Sequence, residues 1–234
     1  MAERGANGHR QFVGYSFYRV QPEWRRLPAA ERERGRSEFA AVFDEYRPLI
    51  FLRSYSVVGT RADSDLMLWK AAHELEIFNR FEGDLNQTLL GGYLERPYSL
   101  LSATRRSTYL AEGADGDRHG ARLDMKAGRG KYLFVYPFVK QRAWYSLAKQ
   151  ERQTMMNEHF KIGAAYPEFE VNTAYSFGLD DQEFVVSFEG DQPHRFVDLV
   201  MELRESRASA YTERDTPIFT CIATPIAEAL ELLG

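Results

Sequence analysis

The chain has 234 residues, a net charge of −4 at pH 7, and hydrophobic residues at 44% of its positions. This composition supports a sizeable buried core and excludes a general electrostatic attraction to nucleic acid. Its single cysteine, Cys221, excludes an internal disulfide and a cysteine-cluster metal site. We find no signal-peptide pattern and no apolar run long enough to span a membrane, so we expect a cytoplasmic protein without nucleic-acid or membrane partners.

The first half of the chain predicts the element order β-α-β-β-α-β. Alternating apolar and polar residues indicate the strands, and apolar residues three and four apart indicate the helices. The predicted elements are a strand over 11–20, a helix over 28–46, strands over 49–58 and 64–71, a helix over 73–90 and a strand over 97–109. We expect a flexible N-terminus over 1–10, a first domain over 11–110, and a linker loop over the Gly-, Asp- and Arg-rich residues 111–130.

The same order returns in the second half, which we expect to form a domain over 131–234. The predicted elements are a strand over 132–139, a helix over 147–166, strands over 169–177 and 183–189, a helix over 192–207 and a strand ending near Cys221. Identical residues recur at an offset of 120, namely Trp24 and Trp144, Leu27 and Leu147, Glu31-Arg32 and Glu151-Arg152, Glu38 and Glu158, and Tyr55-Ser56 and Tyr175-Ser176. The predicted fold class is therefore α+β, with tandem ferredoxin-like repeats forming a dimeric α+β barrel within one chain.

His159 departs from this internal repeat. At the offset of 120 it corresponds to Phe39, so one half has an imidazole where the other has an apolar ring. A neutral imidazole on an apolar helix face suits the axial ligand of an iron porphyrin, and the alternative is a hydrogen-bonded core histidine. We interpret the other four histidines as structural or solvent-facing: His9, His73, His119 and His194. Nucleotide-binding glycine loops and zinc-site spacings are absent from the sequence.

Several motifs carry a family resemblance. They are YPFVK, WYSL followed by ER, MNEH followed by IG, SFGLDDQEF and, in the first half, LSATRRSTYLAEG. These motifs resemble the chlorite dismutase superfamily, especially its coproheme decarboxylase (haem b synthase) branch. The resemblance implies a tandem ferredoxin-like α+β barrel, a haem site in the second half and a homopentamer.

The resemblance also implies roles for individual residues. His159 matches the proximal iron ligand, and Tyr136 matches a tyrosine that relays a radical. Lys140 matches a lysine near a porphyrin propionate, and Trp144 matches an aromatic residue close to the macrocycle. The candidate partners for further propionates are Arg129, Tyr211 and Arg214. The structural alternatives are a buried strand aromatic for Tyr136 and a solvated strand end for Lys140.

One position departs from the family pattern. Chlorite dismutases carry a distal arginine where this chain has Val171 or Asn172, so a guanidinium that could hold chlorite is missing there. The distal histidine of another decarboxylase group falls near Ser107 and is absent, which leaves the general base for peroxide unassigned.

The resemblance implies that the chain uses hydrogen peroxide to decarboxylate iron coproporphyrin III oxidatively to haem b. Its iron group is thus haem b or iron coproporphyrin III. One alternative is a chlorite dismutase-like or peroxidase-type haem b enzyme. The other is a non-catalytic haem-binding protein of the same fold.

Overall fold

The computed structural model describes residues 10–109, 125 and 130–234. His9, His119, Arg129 and nearly all of the predicted N-terminal tail and linker lie outside the described residues. The described chain divides into two compact units. The first unit comprises residues 10–101 and Phe219–Gly234, and the second comprises Ser102–Ile218.

The described chain contains nine strands and six α-helices. The strands are β1 (Phe12–Val20), β2 (Phe51–Ser56), β3 (Leu66–Ala72), β4 (Leu94–Ala103), β5 (Tyr132–Lys140), β6 (Glu170–Tyr175), β7 (Phe184–Gly190), β8 (Thr212–Arg214) and β9 (Phe219–Ala223). The helices are α1 (Ala29–Tyr46), α2 (Glu76–Gln87), α3 (Arg142–Ser146), α4 (Lys149–Ala164), α5 (Pro193–Glu205) and α6 (Ile226–Glu231). None of these helices is both long and apolar enough to cross a membrane.

In the first unit, an antiparallel sheet packs against helices. Strand β3 pairs with both β1 and β2, and β9 returns to pair with β2 through the register Tyr55↔Ala223. The buried side chains of this core include Trp24, Phe39 and Phe81. The pairing of β9 with β2 explains why the end of the chain belongs to the first unit.

In the second unit, β7 pairs antiparallel with both β5 and β6. The registers Tyr136↔Val186 and Thr173↔Val186 place these three side chains on one face of the sheet. The end of β4 joins β6 through the register Ala103↔Tyr175. Helix α5 is held by the stacked rings of Phe134 and Phe196, whose centroids are 3.9 Å apart.

The element order agrees with the predicted α+β class, and two local differences have physical reasons. The predicted strand over 97–109 is wrong beyond Ala103, because β4 ends there and residues 104–109 form no further strand. The sequence analysis also missed α3 and α6, which have five and six residues. Helices this short complete fewer than two turns and leave too few residues to establish a period.

Candidate functional site

The second unit contains a cavity of about 1390 Å³. Ordinary small-molecule pockets occupy about 300–1,000 Å³, so this one has room for a large planar ligand. Helix α4 contributes one wall through Met156, His159 and Gly163, whose spacing places them on one helix face. The sheet contributes another wall, which includes Tyr136 and Thr173. The cavity therefore lies between the predicted ligand helix and the face of the sheet that carries the predicted tyrosine.

The structure places the imidazole of His159 in the cavity wall. Burial is the main cause that lowers the pKa of His159 to about 4, and the positive charge of Lys140 adds to the effect. The ring is therefore neutral at pH 7 and keeps a lone pair on one nitrogen. Within the described residues, neither ring nitrogen has a hydrogen-bond partner. A neutral, unpartnered imidazole facing a large cavity fits the axial ligand of an iron porphyrin.

Tyr136 lies on β5 and also lines the cavity. Burial raises the pKa of its phenol, the negative charge of Asp215 raises it further, and Arg204 opposes the shift. Its ring stacks with that of Phe188 at a centroid distance of 6.4 Å. The phenol is therefore held in place and stays protonated at neutral pH, so that it retains a proton to transfer.

Lys140 ends β5 with its side chain turned inward, and only 8% of the residue is exposed. Its Nζ atom donates a hydrogen bond to the carbonyl oxygen of Ala208 at 2.6 Å and lies 4.7 Å from the ring centroid of Trp144. Burial lowers the pKa of Lys140 to about 8, against the opposing charge of Glu183. The lysine thus remains mostly cationic at pH 7 and lines the cavity. Because its side chain is buried, Lys140 is not the solvated strand end of the structural alternative.

The short helix α3 carries Trp144 into the cavity wall. The carboxylate of Glu183 anchors this region, since it accepts hydrogen bonds from the Lys140 backbone N–H at 2.8 Å and from the Tyr145 hydroxyl at 2.6 Å. Burial and this carboxylate raise the pKa of Tyr145. The sequence patterns predicted no role for Glu183 or Tyr145. Their only signal was membership of the SFGLDDQEF and WYSL motifs.

Val171 and Asn172 lie on opposite faces of β6. Val171 lines the cavity together with Thr173 and Tyr175, as the two-residue alternation of a strand requires. Asn172 is 2% exposed and is not among the residues that line the cavity; in the register of the sheet it lies opposite Ser187. Of the two candidates for the distal position, the one that reaches the cavity is therefore apolar.

Neither of the two described candidate propionate partners lines the cavity. Arg129 lies outside the described residues, and Tyr211 and Arg214 are not among the lining residues. Tyr211 packs instead against Trp144, with ring centroids 5.5 Å apart. Ser107 does line the cavity, together with Arg105, whose position the sequence analysis did not single out.

Comparison with known proteins identifies the family. The chlorite dismutase family model matches residues 15–224. The coproheme decarboxylase of Mycolicibacterium smegmatis is 33% identical over 166 residues, which is 71% of this chain and 70% of that protein. The chain therefore belongs to the chlorite dismutase family.

Solved structures agree with the fold. A variant of the chlorite dismutase from Candidatus Nitrospira defluvii has a TM-score of 0.87 at 23% identity and covers 95% of each chain, which supports the fold alone. A haem-binding protein from Thermus thermophilus has a TM-score of 0.83 at 26% identity, covering 94% of this chain and 93% of that one. The predicted fold class, α+β with tandem ferredoxin-like repeats, is confirmed.

Proposed function

We propose that this chain catalyses the hydrogen-peroxide-dependent oxidative decarboxylation of iron coproporphyrin III to haem b. The observation that carries the proposal is the convergence of His159, Tyr136 and Lys140 on one cavity of about 1390 Å³. In the proposed reaction His159 serves as the iron ligand, Tyr136 donates a proton and an electron, and Lys140 is the cation that pairs with a carboxylate. The 33% identity to a coproheme decarboxylase supports this reaction over others in the family.

The proposed roles follow from the state of each side chain. His159 is neutral at pH 7, so it offers a nitrogen lone pair to iron. Lys140 provides a positive charge for a propionate, because Ala208 and Trp144 hold its ammonium at the cavity wall. Trp144 supplies an apolar surface beside Lys140 against which a porphyrin can pack. Val171 makes the adjacent wall of the cavity apolar. We keep Asn172 in the proposed site as a buried polar group on the opposite face of β6.

The bound iron porphyrin supplies peroxide-dependent oxidation and, as the substrate, the propionates that are lost. Two of its propionates become vinyl groups, and each of these two loses carbon dioxide, one proton and two electrons. The oxidant is hydrogen peroxide, which takes up the released electrons and is reduced to water. We assign to Tyr136 the relay of an electron and a proton from its phenol, which burial keeps protonated.

The test is to add iron coproporphyrin III to the purified protein, titrate hydrogen peroxide, and follow the porphyrin by mass and absorption. We expect the stepwise loss of two carboxyl groups as carbon dioxide. A porphyrin that binds but bleaches without this mass change would contradict decarboxylation.

The second candidate is a chlorite dismutase-like or peroxidase-type haem b enzyme, which the family model and the chlorite dismutase fold favour. Chlorite turnover is the weaker reading, because the cavity-facing residue of the two distal candidates is Val171 rather than an arginine. Oxygen release from chlorite by the haem-loaded protein would support this candidate. A non-catalytic haem-binding protein is the third possibility, and it predicts neither activity.

We further propose a cellular location and a subunit count for the enzyme. We expect it to act in the cytoplasm, as its single cysteine indicates, and to form a homopentamer, as the family resemblance implies. We assign the haem site to the second unit, whose residues line the cavity. Size-exclusion chromatography with light scattering tests the subunit count.

A further inference from the structure

A cluster of Arg105, Ser107 and Tyr175 borders the same cavity, and the roles assigned above do not use it. The register Ala103↔Tyr175 brings the three together, because it places the segment that follows β4 beside the end of β6. The Cζ atom of Arg105 lies 5.6 Å from the centroid of the Tyr175 ring, which is within the range of a cation-π contact. The aromatic face thus holds the guanidinium while its N–H groups stay available.

The hydroxyl groups of Ser107 and Tyr175 can both act as hydrogen-bond donors. The Tyr109 backbone N–H donates to Ser107 Oγ at 3.1 Å, so the serine proton is free to be donated onward. Burial raises the pKa of the Tyr175 phenol, and the charge of Arg105, the Ser107 hydroxyl and the Thr108 backbone N–H oppose this shift. A phenol whose pKa is raised keeps its proton at neutral pH and can donate it in a hydrogen bond. Tyr175 is therefore prepared to donate to an acceptor in the cavity.

The charge of Arg105 has no counter-ion in the described part of the chain, since no carboxylate there pairs with it. Another arginine of the cavity wall differs in this respect, because Arg204 pairs with Asp215 at 2.8 Å. Arg105 is also exposed. Its guanidinium therefore stays hydrated at the edge of the cavity and carries no large desolvation cost there.

The internal repeat supplies a control. At the offset of 120, Ala103 and Tyr175 correspond to Ala223 and Tyr55, and the register Tyr55↔Ala223 repeats the pairing in the first unit. Arg105 and Ser107 correspond there to Pro225 and Ala227. The strand pairing and the tyrosine are thus shared, whereas the cation and the hydroxyl occur only in the unit that contains His159.

The comparison of the two repeats also argues against Arg152 as a ligand-binding residue. Arg152 lines the cavity, and its buried Nε atom has no hydrogen-bond partner among the described residues. Its counterpart Arg32, in the first unit, has the same unpartnered Nε atom. A feature that occurs in both halves points to the shared fold rather than to a ligand of one half.

We propose that Arg105 and Tyr175 form a carboxylate-binding subsite at the cavity, which takes a propionate of the porphyrin substrate and is separate from Lys140. The planar guanidinium matches a carboxylate with paired N–H donors, and the phenol adds a further donor. This inference rests on the proposed function for its ligand.

The experiment measures the affinity of the full chain for iron coproporphyrin III by absorption titration. We compare the wild type with Arg105→Met and Tyr175→Phe, and with Arg106→Met as the matched control, because Arg106 is exposed and does not line the cavity. We expect Arg105→Met to weaken binding roughly 10- to 100-fold and Tyr175→Phe roughly 3- to 10-fold, since hydrogen bonds to charged partners exceed those between neutral groups. Arg106→Met should bind like the wild type.

A second probe, the tetramethyl ester of iron coproporphyrin III, separates carboxylate recognition from structure. Arg105→Met should bind this ester as tightly as the wild type does. Equal losses for the acid and the ester, or no loss for the acid, would overturn the subsite.

The two proposals fail differently. A wild type that shows Arg105-dependent binding but releases no carbon dioxide with peroxide refutes the proposed function and keeps the subsite. A wild type that decarboxylates, with Arg105→Met unchanged in affinity, refutes the subsite alone. If the wild type binds no iron coproporphyrin III, both proposals fall.

Discussion

The ammonium group of Lys140 lies 4.7 Å from the centroid of the Trp144 ring. A hydrogen bond of 2.6 Å to the Ala208 carbonyl oxygen fixes it there, so the cation is positioned before any ligand arrives. Such preorganisation lowers the entropic cost of binding a carboxylate. The contact also explains why a lysine is tolerated at a site where burial lowers its pKa to about 8.

Replacing Lys140 with Met tests this arrangement. The variant keeps the length and apolar stem of the side chain but loses its charge, so we expect the affinity for iron coproporphyrin III to fall about 10-fold. Lys149→Met is the matched control, because Lys149 is exposed at the start of α4. An unchanged dissociation constant for Lys140→Met would argue against a role in propionate binding.

Tyr136→Phe removes only the phenol oxygen. We expect the rate of decarboxylation to fall roughly 10²- to 10⁴-fold, as for the loss of a proton-transferring group, while the porphyrin affinity stays the same. Tyr132→Phe is the control, because Tyr132 lies on the same strand but does not line the cavity. The measurement is the mass of the porphyrin after a single addition of peroxide. Retained decarboxylation in Tyr136→Phe would rule out the radical role.

His159→Ala removes the predicted iron ligand. Losing a second-shell partner of a metal ligand typically costs about 10- to 100-fold in affinity, so losing the ligand itself should cost at least roughly 100-fold. Free imidazole added to the variant should restore the absorption spectrum of the bound iron porphyrin. His194→Ala, at an exposed position at the start of α5, should bind like the wild type. Unchanged affinity in His159→Ala would remove the central assignment of the site.

Glu82→Gln tests a buried ion pair in the first unit. Lys70 forms a charged hydrogen bond to Glu82, and the two side chains are only 5% and 12% exposed. Removing one partner of such a pair leaves a buried charge, so we expect a loss of about 3–5 kcal/mol in the free energy of unfolding. The comparison variant is Arg96→Gln, because the half-exposed Arg96 contacts the same carboxylate and should cost about 1 kcal/mol or less. Urea unfolding measures both, and equal losses would contradict the burial argument.

We expect the free energy of unfolding to fall in acid because of Asp63. Its hydrogen bond from Arg61 is the main cause that lowers the pKa of Asp63 to about 2, and the Tyr98 hydroxyl donates to it at 2.6 Å. Because the folded-state pKa lies below the usual value of about 3.9, this stabilisation is present above about pH 4 and is lost as the pH falls through about 2. The side chain is 34% exposed, so screening limits the effect to about 1 kcal/mol.

Urea unfolding of the wild type and Asp63→Asn across this pH range measures the effect. The wild type should be more stable at pH 6, and the difference should shrink towards pH 2. A difference that stays constant with pH would show that the carboxylate charge is not responsible.

Much of the fold followed from local patterns. Apart from the strand over 97–109, alternation and helical periodicity located the long elements to within a few residues, and the offset of 120 revealed the repeat. The same offset separated His159 from Phe39, because a polar ring at an apolar position stands out against its counterpart. These features depend on residues close in the sequence or on identity between halves, and neither requires knowledge of spatial contacts.

The contacts that shape the site could not be read from the sequence. Arg105 meets Tyr175 across 70 positions of the chain, and Lys140 meets Ala208 across 68. The choice of Val171 over Asn172 depends on which face of β6 meets the cavity, and the return of β9 to the first unit depends on its pairing with β2. By itself the sequence determined the elements, the repeat and the exceptional histidine. Only the tertiary structure decided the partners and burial of the charged groups, because both depend on the packing of residues that are distant along the chain.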